Sequence, residues 1–405
     1  MKNQKYIPRN YYLDRIKPFI NKNIIKVFSG QRRVGKSYLL YQLMDYIKTS
    51  ENNPDIIYIN KELDEFSNIK NHSDLIALIK KSKQKKKIRY VFIDEIQDIE
   101  GFEKALRSFF AEGGYDIYCT GSNANLLSGE LATYLSGRYI EIKVYGLSYS
   151  EFLTFHRIKD SSLSFTRYLQ FGGLPYLIHL PADDYIVYDY LKNIYSTIIL
   201  KDVVARFNVR NVNFLEKLVR FLCDNTGNIL SAKKISDYLK SQKFDISTQV
   251  VLNYLSHLVT AFLVYRVSRS DLSGKKIFEI GEKYYFEDTG IRNSIIGYKV
   301  SDINKLLENV VYQHMCIAGY SVSVGKVGDK EIDFIGEKSG EKIYVQVCYV
   351  LSDEKVVKRE FENLLAVSDN YPKYVVTMDN IGKTASYEGI NHLMVKEFCR
   401  QLVSY

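Results

Sequence analysis

Asn23-Ile-Ile-Lys-Val-Phe28, then Ser29-Gly30-Gln31-Arg32-Arg33-Val34-Gly35-Lys36-Ser37, then Tyr38-Leu-Leu-Tyr-Gln-Leu43 is the stretch on which the fold turns. The first segment is short, apolar and β-branched and predicts a buried strand. The last has helical spacing. Between them lies G-x-x-x-x-G-K-S, in the strand–loop–helix setting that a phosphate-binding loop needs. Gly30 and Gly35 permit backbone conformations that aim successive N–H groups at phosphate oxygens. A helix N-terminus adds its dipole at the same spot. Lys36 then reaches the β- and γ-phosphates, and the Ser37 hydroxyl is a magnesium ligand. Gly30, Gln31, Arg32, Arg33, Val34, Gly35, Lys36, Ser37 and Tyr38 form the candidate nucleotide-binding segment.

A second signal lies downstream. Ile88-Arg-Tyr-Val-Phe-Ile93 predicts another buried strand and runs into Asp94-Glu95. The carboxyl end of a parallel strand is where α/β sheets hold ligands. Asp94 is the candidate to hold magnesium, directly or through water, and Glu95 the candidate general base. A third strand, Tyr115-Asp-Ile-Tyr-Cys-Thr120, ends in Gly121-Ser122-Asn123. Ser122 and Asn123 are either a polar sensor of the γ-phosphate or an ordinary turn. Arg138, in Leu135-Ser-Gly-Arg138-Tyr, has two readings as well: an arginine finger acting in cis or in trans, or a solvated surface side chain. Lys36, Glu95, Asn123 and Arg138 are thus the catalytic candidates, and Ser37 and Asp94 the metal candidates.

These residues, with Gly-Leu-Ser-Tyr-Ser-Glu-Phe-Leu153, Phe171-Gly-Gly-Leu-Pro175 and Lys201-Asp-Val-Val-Ala-Arg206, resemble a family of prokaryotic predicted ATPases. Those proteins are AAA+-like and carry a C-terminal domain of unknown function. The resemblance runs along nearly the whole chain. It implies ATP as the nucleotide and a helical lid behind an α/β P-loop core. On this reading residues 1–146 are the AAA+-like ATPase core and 147–210 the lid, whose motion couples hydrolysis to the rest of the molecule. Arg206 and Arg210 are either nucleotide sensors on the lid or surface charge.

Residues 211–298 change pattern. A helix around Phe214–Asp224 is followed by two short helices, the second capped by Ser247 and presenting Val251, Leu255 and Leu258 on one face. Strand-like Leu263–Val267 and Lys276–Ile280 follow, so the segment resembles a winged helix-turn-helix. Residues 201–270 hold 11 Lys+Arg against 5 Asp+Glu. Two uses stand open: DNA contact through Gln249, Asn253 and His257, or packing between domains. The near absence of charge on that helix weakens phosphate contact. The basic run Lys80–Lys87 is a solvated loop by default.

From about residue 299 to 405 a helix, three strands, a helix and a strand are expected, an order similar to the restriction-endonuclease-like fold. Active members of that fold bind magnesium through an Asp and a Glu-x-Lys. Glu308 and Asp333 match the acidic positions, but Gln346-Val347-Cys348 stands where Glu-x-Lys is needed. A catalytically degenerate module is therefore expected, and nuclease activity is not.

Composition sets the outer bounds. The 405 residues suggest about two to three domains. Hydrophobic residues make up 46% and charged ones 25%, which excludes a mainly disordered chain. The net charge of +9 permits an anionic partner without requiring one. Cys119, Cys223, Cys316, Cys348 and Cys399 are scattered, with no C-x-x-C pair, so neither a zinc site nor a disulfide framework is expected. No leader and no membrane span is legible, and a cytoplasmic location is expected. The function expected is a magnesium-dependent ATP hydrolase that couples nucleotide state to domain motion, with DNA as one candidate partner and self-association left open. Two alternatives stand beside it: a nucleotide-gated binding switch with negligible turnover, and a DNA nuclease.

Overall fold

Strand β1, Ile25–Ser29, is buried along its whole length although Lys26 stands in its middle. It tolerates that lysine because Asp116 of a neighbouring strand pairs with the ammonium, which also lies 5.0 Å from the centroid of the Tyr118 ring. Burial works to lower the pKa of Lys26, and the Asp116 carboxylate opposes it. A computed structural model describes residues 6–81, 86–124, 135, 137–181, 183–241, 246–272, 281–351, 354–379 and 386–403. Residues 82–85 of the run 80–87 and all of the strand expected at 276–280 lie outside them.

The chain forms two compact units. The first comprises Met1–Tyr145 together with Thr260–Phe262. Its sheet holds β1, β2 (Asp55–Asn60), β3 (Arg89–Asp94), β4 (Tyr115–Gly121) and β5 (Tyr139–Lys143). All neighbours are parallel, in the order β2-β3-β4-β1-β5. A parallel sheet needs helices on its faces, so its inner strands read as continuous apolar runs. That is the pattern of β1 and β3. The helices Lys36–Ser50, His72–Lys81 and Phe102–Glu112 supply the cover, and Val27, Val91, Ile93, Leu75, Leu106 and Phe109 lie in one core. Because β4 lies between β1 and β3, its tip opens between the loop after β1 and the acidic pair that ends β3.

The second unit, Gly146–Val259 with Leu263–Ser404, begins with helices Tyr149–His156, Ser162–Phe171 and Asp184–Thr197. Helix Val212–Asp224 comes next, then the pair Ala232–Ser241 and Thr248–Thr260 and the antiparallel hairpin β6 (Val264–Asp271) with β7 (Glu282–Phe286). Helix Ile303–Ile317 leads to β8 (Ser321–Val327), β9 (Lys330–Lys338) and β10 (Glu341–Cys348), helix Glu354–Leu365 and β11 (Lys373–Thr377). The strands β12 (Ser386–Tyr387) and β13 (Ile390–Met394) complete an eight-stranded sheet, ordered β12-β13-β11-β10-β9-β8-β6-β7. Residues 269–271 of β6 run parallel to residues 324–326 of β8, so the hairpin and the following strands share one sheet.

The Gly172-Gly173 pair has a steric cause. A Cβ on Gly173 would stand 2.5 Å from the Leu147 carbonyl oxygen, and one on Gly172 would stand 2.3 Å from both Asp288 carboxylate oxygens. Asp288 accepts from the Gly173 and Ile291 N–H groups at 2.7 and 2.9 Å.

His314 makes a second buried polar junction. Its Nδ1 lies 2.8 Å from the Val310 carbonyl oxygen and its Nε2 accepts the Tyr149 N–H at 2.9 Å. Only the neutral ring can do both. Burial pushes its pKa down to about 4 from 6.5. The unfolded chain therefore takes up this proton first as pH falls, and the stabilisation is full above pH 6.5 and lost toward pH 4. The full effect is about 3 kcal/mol. Asp288, pushed up to about 6 by burial, has the opposite sign over a largely overlapping window and offsets part of the effect in both proteins. Urea melts between pH 4 and 7 are therefore expected to show a weaker loss on acidification in His314→Gln than in the wild type; equal slopes would remove His314 from the account.

Candidate functional site

After Ser29 the chain turns over the carboxyl end of β1 before the helix starts at Lys36. Gly30 holds φ at +151°, and a Cβ there would lie 2.1 Å from the Val144 carbonyl oxygen. Gly35, at φ 98°, is the N-cap of the helix. Arg33 between them is left-handed at φ 69°, a conformation a non-glycine residue keeps only when its surroundings impose it. Gly30→Ala is expected to cost about 1–3 kcal/mol from the forced backbone alone and to abolish nucleotide binding. A thermal melt and titration with a fluorescent nucleotide would check both.

Two contacts that impose the loop's shape were not legible in the sequence. Arg9 is 3% exposed. Its Nη1 donates to the carbonyl oxygens of Val34 at 2.9 Å and Tyr145 at 3.0 Å. Gln31 donates from Nε2 to the Phe262 carbonyl oxygen at 3.0 Å. Phe262 is itself left-handed, at φ 55°, and the Lys143 ammonium lies 5.4 Å from its ring centroid. A buried arginine far upstream and a turn far downstream have no local pattern that would announce them.

Lys36 is 4% exposed. Its ammonium donates to the carbonyl oxygens of Gly30 and Gln31 at 3.0 and 2.9 Å and lies 3.8 Å from Glu95 Oε1. The Ser37 side chain is hydrogen-bonded to Asp94. Thr120, near the tip of β4, donates from Oγ1 to Asp94 Oδ1 at 2.5 Å and accepts the Glu95 N–H at 2.9 Å. The Tyr58 hydroxyl is 3.3 Å from Asp94 Oδ2. Burial pushes the Asp94 carboxyl above its usual range, against the hydrogen bonds from Thr120 and Ser37.

Glu95 sits in the left-handed region at φ 56°, which turns its side chain back toward the loop. Its Oε2 accepts from Ser122 Oγ at 3.0 Å and from Gln97 Nε2. Burial alone would raise its pKa. The charges of Lys36 and then Arg32 outweigh burial and hold the carboxyl below its usual range. A carboxylate kept ionised next to a buried ammonium can accept a proton from water when its hydrogen bonds are exchanged.

The structure thus brings Lys36, Ser37, Asp94, Glu95 and Ser122 together at one end of the sheet. Asn123 follows at the tip of β4 and is buried. Arg32 lies 3.9 Å from Glu62 Oε1, and Tyr38 is exposed and meets Tyr41 edge-on. Arg138 is not brought there. Its carbonyl oxygen accepts from the N–H of Ile25, the first residue of β1, and its guanidinium lies 5.4 Å from the Phe110 ring centroid. Since β5 runs parallel to β1, Arg138 stands at the amino ends of the strands. A five-residue strand separates it from the loop by roughly 15 Å.

In the second unit Arg206 pairs with Asp202 at 3.8 Å and Arg210 is exposed. Gln249 donates to Asn253 at 3.0 Å, and the His257 ring stacks on Phe207 at 4.0 Å. Glu308 and Asp333 line one cavity. Among the described residues, no helix is long and apolar enough to cross a membrane.

Comparison with known proteins gives a consistent frame. A family model described as an AAA domain matches residues 22–153, and one described as a domain of unknown function (DUF8612) matches residues 162–302. An uncharacterized protein of Haemophilus influenzae is 38% identical over 98% of this chain and 99% of its own length. Another, from Methanocaldococcus jannaschii, is 31% identical over 82% of this chain and 76% of its own. Among solved structures, a Walker-type ATPase of Pyrococcus abyssi aligns at 15% identity and a TM-score of 0.49, covering 73% of this chain and 97% of that one.

Proposed function

The chain belongs to a prokaryotic family that places a domain of unknown function behind an AAA-type P-loop domain, and from that premise we propose that it binds and hydrolyses ATP with magnesium and couples nucleotide state to its other domains. One observation carries the reading. Lys36, Ser37, Asp94 and Glu95, from two separated segments, meet at the carboxyl ends of β1 and β3, with the tip of β4 between them.

The residues fit the ligands. Gly30 passes too close to the Val144 carbonyl for any side chain, Gly35 is left-handed at the N-cap, and the helix N-terminus at Lys36 favours phosphate. Lys36 would exchange its loop carbonyl partners for phosphate oxygens. Ser37 and Asp94 would hold magnesium, which when bound supplies Lewis acidity at the phosphate. Glu95 would take the proton of the attacking water, with Ser122 and Gln97 orienting its carboxylate. Asn123 is the neighbouring candidate to orient that water. An arginine finger from Arg138 would act in trans, on a second copy.

The nucleotide-gated switch has support of its own. Glu95 spends its Oε2 on Ser122 and Gln97 and turns its Oε1 toward Lys36, which holds it off water until these partners rearrange. Gln31 hydrogen-bonds the Phe262 carbonyl oxygen, which ties the loop to a turn far along the chain. The basic excess of residues 201–270 makes DNA the partner we would test first. Phosphate release with buffer, DNA or RNA, with sizing under each nucleotide, separates the readings. Turnover in buffer supports the ATPase. Turnover that appears only with nucleic acid supports gating. No ATP binding under any condition sinks both.

A further inference from the structure

The second unit contains a cavity of about 280 Å³ lined by Glu308, Glu331, Asp333, Gln346, Arg359 and Glu360, among others. Active members of the fold that this order of elements resembles hold magnesium here, and Glu308 and Asp333 match their acidic positions, so the donor set has to be tested against that ion. Four carboxylates face the space. A fifth element enters from outside the helix–strand core: Lys283, on the edge strand β7, 2% exposed. Its ammonium lies 3.0 Å from Glu331 Oε1, 3.4 Å from Asp333 Oδ1 and 3.5 Å from Glu308 Oε2. Glu331 and Asp333 are two apart on β9 and so share a face, while Glu308 comes from the helix packed against it.

The chain supplies further donors to two of these carboxylates. Asp333 Oδ2 accepts the Val347 N–H at 2.9 Å, and Glu308 Oε2 accepts the Tyr285 hydroxyl at 2.9 Å. Gln346 has no freedom to serve as a ligand. Its Oε1 accepts the Asp333 N–H at 3.3 Å, which turns its amide nitrogen onto Glu360 Oε2 at 3.0 Å. It therefore presents a donor where a metal needs an acceptor. Arg359 covers the other Glu360 oxygen. Among the described residues, no group of three or more His, Cys, Asp or Glu side chains is arranged to hold a metal ion. The residues present do not fit a divalent cation.

We infer that Lys283 is a resident counterion that takes the place and the charge of a divalent metal, so that this nuclease-like centre is held together by an ammonium and is closed to magnesium and manganese. A compact ammonium suits the task, because it offers three donors without directional restriction to three converging carboxylates. A doubly charged ion among the same oxygens would sit against that ammonium at close range and be repelled. The Gln346 donor would remain, but Lys283 supplies the positive charge among Glu308, Glu331 and Asp333, so removing it should open those three carboxylates to a cation. In Lys283→Met the stem volume is kept and the charge is lost, which leaves Glu308, Glu331 and Asp333 converging with no cation among them.

The test uses the full chain without nucleotide and manganese as the probe, read by calorimetry and by the shift of the melting temperature. The wild type is expected to show no manganese site that depends on Asp333, so wild type and Asp333→Asn should titrate alike. Lys283→Met is expected to gain one manganese site, bound at least tenfold more tightly than by the wild type and lost again in the Lys283→Met/Asp333→Asn pair. A wild-type manganese site abolished by Asp333→Asn would overturn the inference, whether or not the methionine variant folds. A folded Lys283→Met with no gain in manganese binding would overturn it too.

Discussion

Glu95→Gln is expected to keep ATP bound while phosphate release falls by about 10²–10⁴, the usual worth of a positioned proton acceptor. The amide has the volume of the carboxylate and can still accept the Ser122 hydroxyl, so the loop around it should keep its shape. It cannot take a proton from water. It also removes a negative charge 3.8 Å from the Lys36 ammonium, which favours rather than weakens the binding of phosphate. Equilibrium binding of a fluorescent ATP analogue, run beside phosphate release at saturating ATP, reads the two effects separately. Release at the wild-type rate would take the general-base role from Glu95.

Lys36→Ala is expected to fail one step earlier. The ammonium is buried at the start of a helix and now serves two carbonyl oxygens of its own loop. The ammonium N–H groups now given to those carbonyls are the donors a triphosphate would claim. A hydrogen bond to a charged group is worth about 1.5–3 kcal/mol, so ATP affinity should fall by roughly 10- to 150-fold. Phosphate release should drop to the level of buffer. Circular dichroism of the variant is the control, because the change also leaves the Gly30 and Gln31 carbonyls short of a donor. The two variants diverge in binding: Glu95→Gln retains nucleotide and Lys36→Ala loses it. Unchanged ATP affinity in a folded Lys36→Ala would remove the cradle itself from the argument.

The acidic pair and the phosphate loop were readable in the sequence for a common reason. Each is a local pattern: a buried strand, then residues whose backbone freedom or charge has few other uses at a strand's end. Arg138 marks the limit of that logic. Its loop was visible, but whether it lies at the amino or the carboxyl end of the strands depends on the direction in which β5 pairs with β1, and only the hydrogen-bonded register settles that. In the second unit, Glu308, Asp333 and the departure at Gln346 were visible as residues. Lys283 was not, because it lies 50 positions from Asp333 on a strand that belongs to a different part of the pattern.

Short-range chemistry was therefore written in the chain itself. The left-handed and extended backbone at Gly30 and Gly35, the hydroxyl after Lys36 and the carboxylates after an apolar run depend on neighbours within a few positions, and no distant partner is needed to recognise them. Charge balance was decided by the tertiary structure alone. Lys26 finds Asp116 ninety residues away, and Lys283 finds three carboxylates on two other elements. A buried charge has to be paired wherever the fold happens to supply a partner, and a linear sequence does not say which remote residues will be brought within reach.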